Sequence, residues 1–281
     1  MTLLSFKQKL YSTLKSHYPA TEIDSFFRLI LEDVLQLSKI DFALAPQQKI
    51  VADKILVVEN IIKGLKNKQP IQYLIGFTEF MNLKLEVNKN VLIPRPETEE
   101  LIYWIVEDTN IQPVLDVLDI GTGTGCIPIA LAKSLNKANV SSIDVSEKAI
   151  ETATRNAKSN HASVNFIHQD ILNTQNLPQQ YDIIVSNPPY VRNLEKIEIQ
   201  KNVLDYEPHL ALFVTDDDPL LFYRKIAQLA LTALKPKGVL YFEINQYLGT
   251  ETVSLLKQIG FKNSILKKDI FGNDRMIKAS L

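Results

Sequence analysis

The sequence predicts an α/β fold: a Rossmann-like sheet preceded by a small N-terminal helical domain and a linking β-hairpin. Three observations point there. Val114 to Ile120 is a short run rich in branched residues that leads into Gly121-Thr122-Gly123-Thr124-Gly125 and then an apolar helix. Further apolar runs alternate with helical patterns to the end of the chain. The first 70 or so residues carry apolar positions at helical spacing only.

The N-terminal domain is expected over residues 1–75. An opening helix spans about Leu3 to His17. Ile23, Phe26, Phe27, Ile30, Leu31, Val34 and Leu35 form one stripe. Ile50, Val51, Val57, Val58, Ile61, Ile62 and Leu65 form another, on a helix starting near Pro46. Pro70 is expected to end the helices. Residues 76–95 are read as a hairpin linker turning at Asn88-Lys89-Asn90. Residues 96–281 form the third segment. Pro96 opens its first helix, and Glu97, Glu99 and Glu100 suit that helix's N-terminal dipole.

The glycine loop is spaced G-x-G-x-G. A dinucleotide fingerprint needs a third glycine at position 126, where this chain has Cys126. Asp119 adds a carboxylate just before the loop, which disfavours a pyrophosphate and suits an amine or sulfonium. The next strand, Ala138 to Ile143, ends at Asp144, placed to accept both hydroxyls of a ribose. A third strand, Ser163 to His168, ends in Gln169-Asp170-Ile171, where an adenine would lie. This set describes a pocket for S-adenosylmethionine better than one for NAD. The plain alternative is a glycine-rich turn with no ligand.

A fourth strand, Tyr181 to Ser186, delivers Asn187-Pro188-Pro189-Tyr190. These residue types suit a planar, conjugated NH2 group. Asn187 can accept a hydrogen bond through its side-chain oxygen. Pro188 and Pro189 leave carbonyl acceptors and no N–H. Tyr190 offers a flat face for stacking. The plain alternative is a proline turn that ends a strand. After Asn187, Val191 to Asp217 reads as a long connection. Helices near 219–234 and 248–259 then alternate with strands near 239–244, 261–266 and 276–279.

Composition narrows the classes of function. The chain has 281 residues, 46% of them hydrophobic, enough for a sizeable core. A net charge of −1 argues against a broad basic face for duplex DNA. The single cysteine, Cys126, excludes an intrachain disulfide framework. The four histidines show no ligand spacing, so no metal is expected. No signal-peptide pattern and no apolar run of about 18 residues is present, so a cytoplasmic location without a membrane span is expected.

The chain resembles the release factor glutamine methyltransferase family (the PrmC type) over nearly its whole length. Pro70-Ile71-Gln72-Tyr73-Leu74-Ile75-Gly76 is similar to that family's P-x-Q-Y-x-x-G segment. Ile93-Pro94-Arg95-Pro96-Glu97-Thr98-Glu99-Glu100-Leu101 is similar to its I-P-R-P-E-T-E-x-L segment. The glycine loop, Asn187 to Tyr190, Glu207-Pro208 and Gly272-Asn273-Asp274-Arg275 fall on further motifs. One departure follows the fifth strand: Glu243 matches E-x-G-x-x-Q, but Asn245 and Leu248 replace its glycine and glutamine.

The resemblance implies a class I S-adenosylmethionine-dependent methyltransferase sheet. It implies peptide chain release factors as substrates, methylated at the amide N5 of the glutamine in their Gly-Gly-Gln motif, with S-adenosylhomocysteine as product. Asn187, Pro188, Pro189 and Tyr190 would be catalytic, with Arg95 walling the substrate site. Gly121 to Gly125, Asp144, Asp170, Ile171 and Asn187 would bind the cofactor. A monomer without direct nucleic-acid contact is expected. The rivals are a nucleic-acid adenine-N6 or cytosine-N4 methyltransferase, and a silent module that binds the cofactor and scaffolds translation factors.

Overall fold

The structure, a computed structural model of the chain, describes residues 1–109, 114–135 and 137–281. They form two compact units: Met1–Phe77 with Gln200–Tyr206, and Thr78–Ile199 with Glu207–Leu281.

The first unit contains α1 (Leu3–Leu14), α2 (Ala20–Leu29), α3 (Lys39–Leu44), α4 (Ala52–Lys66) and α5 (Ile71–Ile75). A capping box starts α1: the Ser5 N–H donates to Thr2 Oγ1 at 3.2 Å and the Thr2 N–H to Ser5 Oγ at 2.8 Å. Leu3, Phe6, Leu10 and Leu14 then recur every three or four residues and are fully buried. They pack with Ile23, Phe27, Ile30, Val58, Ile61 and Leu65.

Three expectations for this unit are corrected. The stripe from Ile23 to Leu35 is not one α-helix, because Ile30–Val34 forms a π-helical turn after α2. Val51 and Val57 are not core residues but 62% and 39% exposed. Val51 precedes the first turn of α4, and Val57 lies about 100° round the helix from buried Val58. Pro70 does not end the helices; it stands at the N-terminal boundary of α5, where a missing N–H costs nothing. Tyr18 and Tyr206 bind the end of α4 by donating to the carbonyls of Leu65 and Asn67, each at 2.8 Å.

A hairpin of β1 (Phe77–Phe80) and β2 (Leu83–Glu86) follows. Its turn is at Met81-Asn82, both at positive φ, and not at Asn88-Lys89-Asn90. Asn88 instead folds its own loop, its Oδ1 accepting from the Asn90 N–H at 3.0 Å. Phe80, Leu83 and Leu85 are buried in the core of the second unit.

The rest of the chain supplies α6 (Pro96–Thr109), β3 (Asp116–Ile120), α7 (Cys126–Ser134), β4 (Asn139–Asp144), α8 (Glu147–Ser159), β5 (Val164–His168) and β6 (Tyr181–Ser186). The stretch read as a long connection holds β7 (Val191–Arg192), α9 (Lys201–Tyr206) and β8 (Phe213–Val214). Then come α10 (Leu221–Ala233), β9 (Leu234–Glu243), α11 (Gly249–Ile259), β10 (Asn263–Lys268) and β11 (Asp274–Ser280).

The seven-stranded sheet has the order β10-β11-β9-β6-β3-β4-β5. β9, β6, β3, β4 and β5 are parallel; β11 runs antiparallel between β9 and β10, so it is the one reversed strand of this sheet. Successive residues face opposite sides, so each central strand feeds two cores. Val117, Ile183, Val185 and Tyr241 lie in the core that includes α6 and α7 residues. Leu118, Ile184, Leu240 and Phe242 lie in the core that includes α10 residues. The chain runs outward from β3 through β4 to β5, then reverses to β6. The switch point therefore falls between the carboxyl ends of β3 and β6, where open α/β sheets bind ligands.

Candidate active site

Parallel pairing sets the site's geometry. Ile120 of β3 is in register with Ser186 of β6, and the Ser186 hydroxyl donates to the Ile120 carbonyl at 2.6 Å. The next residues, Gly121 and Asn187, therefore leave the sheet side by side. Gly121 and Gly125 take φ of +92° and +83°, which L side chains rarely adopt. Gly125 has a second constraint: a Cβ there would sit 2.9 Å from Ile129 Cδ1 and 3.1 Å from Ala153 Cβ.

A cavity of about 370 Å³ opens over this switch point. Gly121, Thr122, Gly123 and Thr124 line it, as do Asp144, Asp170, Ile171, Asn187, Pro188, Pro189 and Arg95. Three residues read as part of the site do not: Gly125, Asp119 and Tyr190. Gly125 packs against α7 and α8. Asp119 is 1% exposed and lies away from the lining.

Asp144 is held by the loop it faces. Its carboxylate accepts from the Gly123 N–H at 2.9 Å and the Ser146 N–H at 2.8 Å. Each oxygen keeps further lone pairs. Burial raises its pKa, while these backbone bonds pull the other way. Asp170 caps a short 3-10 turn, accepting from the Leu172 N–H at 2.9 Å and from Asn173 Nδ2 at 2.7 Å. That turn carries Ile171 to the cavity wall.

Asp119 accepts from the Ser142 hydroxyl at 2.6 Å, and Ser142 is itself hydrogen-bonded to Thr122. Its second oxygen, Oδ1, has no hydrogen-bond partner among the described residues. Burial pushes its carboxyl up to about 7, against the pull of Ser142.

A buried polar chain lies behind the Asn187 end of the cavity. Asn187 Nδ2 donates to Thr98 Oγ1 at 3.3 Å, and the Thr98 hydroxyl donates to Glu243 Oε2 at 2.6 Å. The Tyr190 hydroxyl donates to the other oxygen, Glu243 Oε1, at 3.0 Å. Tyr190 packs against the sheet core with its phenol tied to Glu243, and it is not among the residues that line the cavity. Burial raises the pKa of Glu243, and of Tyr190 well above the usual phenol range. Arg95 reaches the cavity wall while its Nη2 binds buried Glu207 Oε1 at 2.6 Å. Glu207 Oε2 accepts from the Ile93 N–H at 3.2 Å.

Several residues that shape the site had no distinct sequence signal. Thr98 read as part of a helix start. Asn156 of α8 is 2% exposed; its Nδ2 donates to the carbonyls of Thr124 (2.9 Å) and Glu86 (3.0 Å), and its Oδ1 accepts from the Glu86 N–H (2.6 Å). Asn245, where the family pattern has glycine, donates to the Tyr190 carbonyl at 2.9 Å and to the Glu195 carboxylate. The substitution fills that place with a bond to the strand-end turn. Among the described residues, no group of three or more His, Cys, Asp or Glu is placed to hold a metal, and no helix is long and apolar enough to cross a membrane.

Comparison with known proteins agrees with this architecture. Residues 105–208 match the Methyltransferase small domain family, and residues 8–76 match the PrmC N-terminal domain. The release factor glutamine methyltransferase of Flavobacterium psychrophilum is 54% identical over 283 residues, covering 100% of this chain and 99% of that protein. The protein of that name from Bacteroides thetaiotaomicron is 43% identical, covering 95% and 96%. Among solved structures, a methyltransferase from Pyrococcus furiosus superposes with a TM-score of 0.51 at 19% identity, covering 71% of this chain and 89% of that one. The human methyltransferase 10 domain containing protein gives 0.52 at 17%, covering 70% and 89%. The structural likenesses show the class I methyltransferase fold. The full-length identity to the named relatives goes further: the chain belongs to the release factor glutamine methyltransferase family.

Proposed function

We propose that the chain transfers the methyl group of S-adenosylmethionine to the side-chain amide nitrogen of the glutamine in the Gly-Gly-Gln motif of peptide chain release factors. One observation carries the reading: the register of β3 with β6 sets the glycine loop and Asn187 on the same cavity. The names of the full-length relatives supply the substrate class.

The residues present suit this methyl donor. The loop offers bare backbone, since a Cβ at Gly123 would meet nothing within 4 Å. Asp144 keeps lone pairs for a ribose diol. Ile143, Ile171, Leu172, Phe222 and Ile226 give apolar wall for a flat purine. When bound, S-adenosylmethionine supplies an electrophilic methyl carbon on a positively charged sulfur.

The chain's own residues do the rest by positioning. Asn187 Oδ1 and the Pro188 carbonyl would each accept an N–H of the substrate amide. Holding both hydrogens fixes the nitrogen and favours the positive charge that develops on it. Arg95, anchored by Glu207, borders the substrate end. Tyr190 supports the turn from behind through Glu243. The proton lost from nitrogen goes to water. The N-terminal unit is assigned to docking the release factor. The proposed activity is cytoplasmic, monomeric, and needs no direct nucleic-acid contact and no membrane.

A nucleic-acid amine methyltransferase would share the Asn-Pro-Pro-Tyr chemistry but would have to grip phosphates, which a net charge of −1 does not favour. Incubation with labelled S-adenosylmethionine and either release factor or DNA separates the two. Label on release factor alone is expected; label on DNA alone would replace this reading with the nucleic-acid one.

A further inference from the structure

We propose that Thr98 and Glu243 act as positioning residues that set which way round the Asn187 side-chain amide stands, so that its oxygen and not its NH2 faces the methyl acceptor. The proposal rests on the reading of Asn187 as the residue that accepts a hydrogen bond from the substrate amide.

An asparagine amide has two ends of nearly equal shape, an acceptor and a double donor. Shape alone does not choose between them, so the hydrogen-bond network must. If the NH2 end faced the cavity, Asn187 would offer donors to a substrate NH2 that is itself a donor. Productive geometry therefore needs one amide orientation.

The neighbours specify it. Thr98 has one hydroxyl proton. That proton has two possible destinations, Glu243 Oε2 at 2.6 Å and the Asn187 amide at 3.3 Å. The first is much the shorter, and it ends on a carboxyl oxygen that accepts from Thr98 alone, since Tyr190 takes the other oxygen. Glu243 is 1% exposed, so turning the hydroxyl away would strip a buried acceptor of its partner. The proton therefore stays on the Glu243 side. Thr98 Oγ1 can then only accept, and only the NH2 end of Asn187 can donate to it. The Asn187 oxygen is left for the cavity, which both Thr98 and Asn187 line.

Glu243 is itself fixed. The Tyr190 hydroxyl donates to its Oε1 at 3.0 Å, so one oxygen is assigned to each donor. Asn245 holds the Tyr190 carbonyl, and Tyr223 donates to the Glu243 carbonyl at 3.3 Å. Glu243 does not line the cavity, so any effect it has on turnover must pass through these partners.

The test compares wild type with Thr98→Val, Thr98→Ser and Glu243→Gln. For each, kcat is measured on intact release factor, S-adenosylmethionine Kd by calorimetry, and Tm. Thr98→Val keeps the shape and loses the hydroxyl. It should lose roughly tenfold or more in kcat, the scale of one hydrogen bond, while Kd stays near wild type and Tm falls by a few degrees because buried Glu243 Oε2 loses its donor. Thr98→Ser, which keeps the hydroxyl, should restore most of kcat. The Asn187 side-chain 1H–15N signal, assigned by its loss in Asn187→Ala, gives a readout without turnover. It should shift in Thr98→Val and in Glu243→Gln and stay put in Thr98→Ser. Unchanged kcat in Thr98→Val, an equal fall in Thr98→Ser, or an Asn187 signal indifferent to Glu243→Gln would each overturn the proposal. A wild type that methylates no release factor, with the Asn187 signal still obeying Thr98 and Glu243, would instead remove the glutamine reading and leave the amide orientation standing.

Discussion

Gly121 and Asn187 stand next to each other at the ends of paired strands, close enough that a Cβ on residue 121 would lie 3.6 Å from the Asn187 carbonyl oxygen. That distance is ordinary contact, so crowding is not what requires glycine. The φ of +92° is. Gly121→Ala should therefore cost about 1–2 kcal/mol, the penalty for an L residue in left-handed backbone. Chemical denaturation measures this. A variant as stable as wild type would show that the loop relaxes without strain.

Asp119 should make stability depend on pH. Burial raises its folded-state pKa from 3.8 to about 7. The folded state thus holds a proton that the unfolded state has lost between those values. Its contribution is fully present below 3.8 and disappears as pH rises through about 7. Asp119→Asn cannot ionise. Relative to wild type, it should gain stability as pH is raised across that window, by on the order of a few kcal/mol. Denaturation curves at several pH values for both proteins check the sign. A constant difference would mean that Asp119 is ionised throughout.

Local features of the site were legible in the sequence, and long-range ones were not. The glycine loop, Asp144 and Asn187 each sit at the end of an apolar run, so a strand reading placed them at one sheet edge. The Thr98–Glu243 bond spans 145 positions, and nothing near either residue announces the other. Tyr190 reads as a stacking face because its ring is flat; the bond of its hydroxyl to Glu243 on β9, 53 positions away, leaves no local trace in the sequence. The hairpin turn was misplaced for a compositional reason. Asn88-Lys89-Asn90 has turn-forming residues, whereas Met81 takes a positive φ that its type rarely adopts.

Asn156 should matter more than its place in the middle of α8 suggests. It fills three hydrogen bonds joining the glycine loop to β2. Asn156→Ala leaves the Glu86 N–H and two carbonyls without that partner, in a site 2% exposed. The expected loss is on the order of 3 kcal/mol. A fall in Tm with no change in secondary structure by circular dichroism is the outcome to look for. A loss under about 0.5 kcal/mol, the size of an ordinary surface substitution, would mean that the three groups find other partners.

The docking role assigned to the N-terminal unit can be tested on its exposed apolar residues. Leu44 and Leu56 are 80% and 69% exposed and contribute little to the fold. Replacing both with serine should raise KM for intact release factor several-fold. The rate on a short Gly-Gly-Gln peptide should not change. Equal effects on both substrates, or none on either, would remove these two residues from the docking surface.

Asn187 is proposed to hold a glutamine amide for methylation at a site facing the glycine loop. The direct measurement is residue-resolved mass spectrometry of release factor after incubation with S-adenosylmethionine and either wild-type protein or Asn187→Ala. With wild type, one methyl group is expected on the glutamine of the Gly-Gly-Gln motif. With Asn187→Ala, none or a trace is expected, even though that variant still binds S-adenosylmethionine by calorimetry. A methyl group elsewhere on the factor, or full modification by Asn187→Ala, would contradict that role.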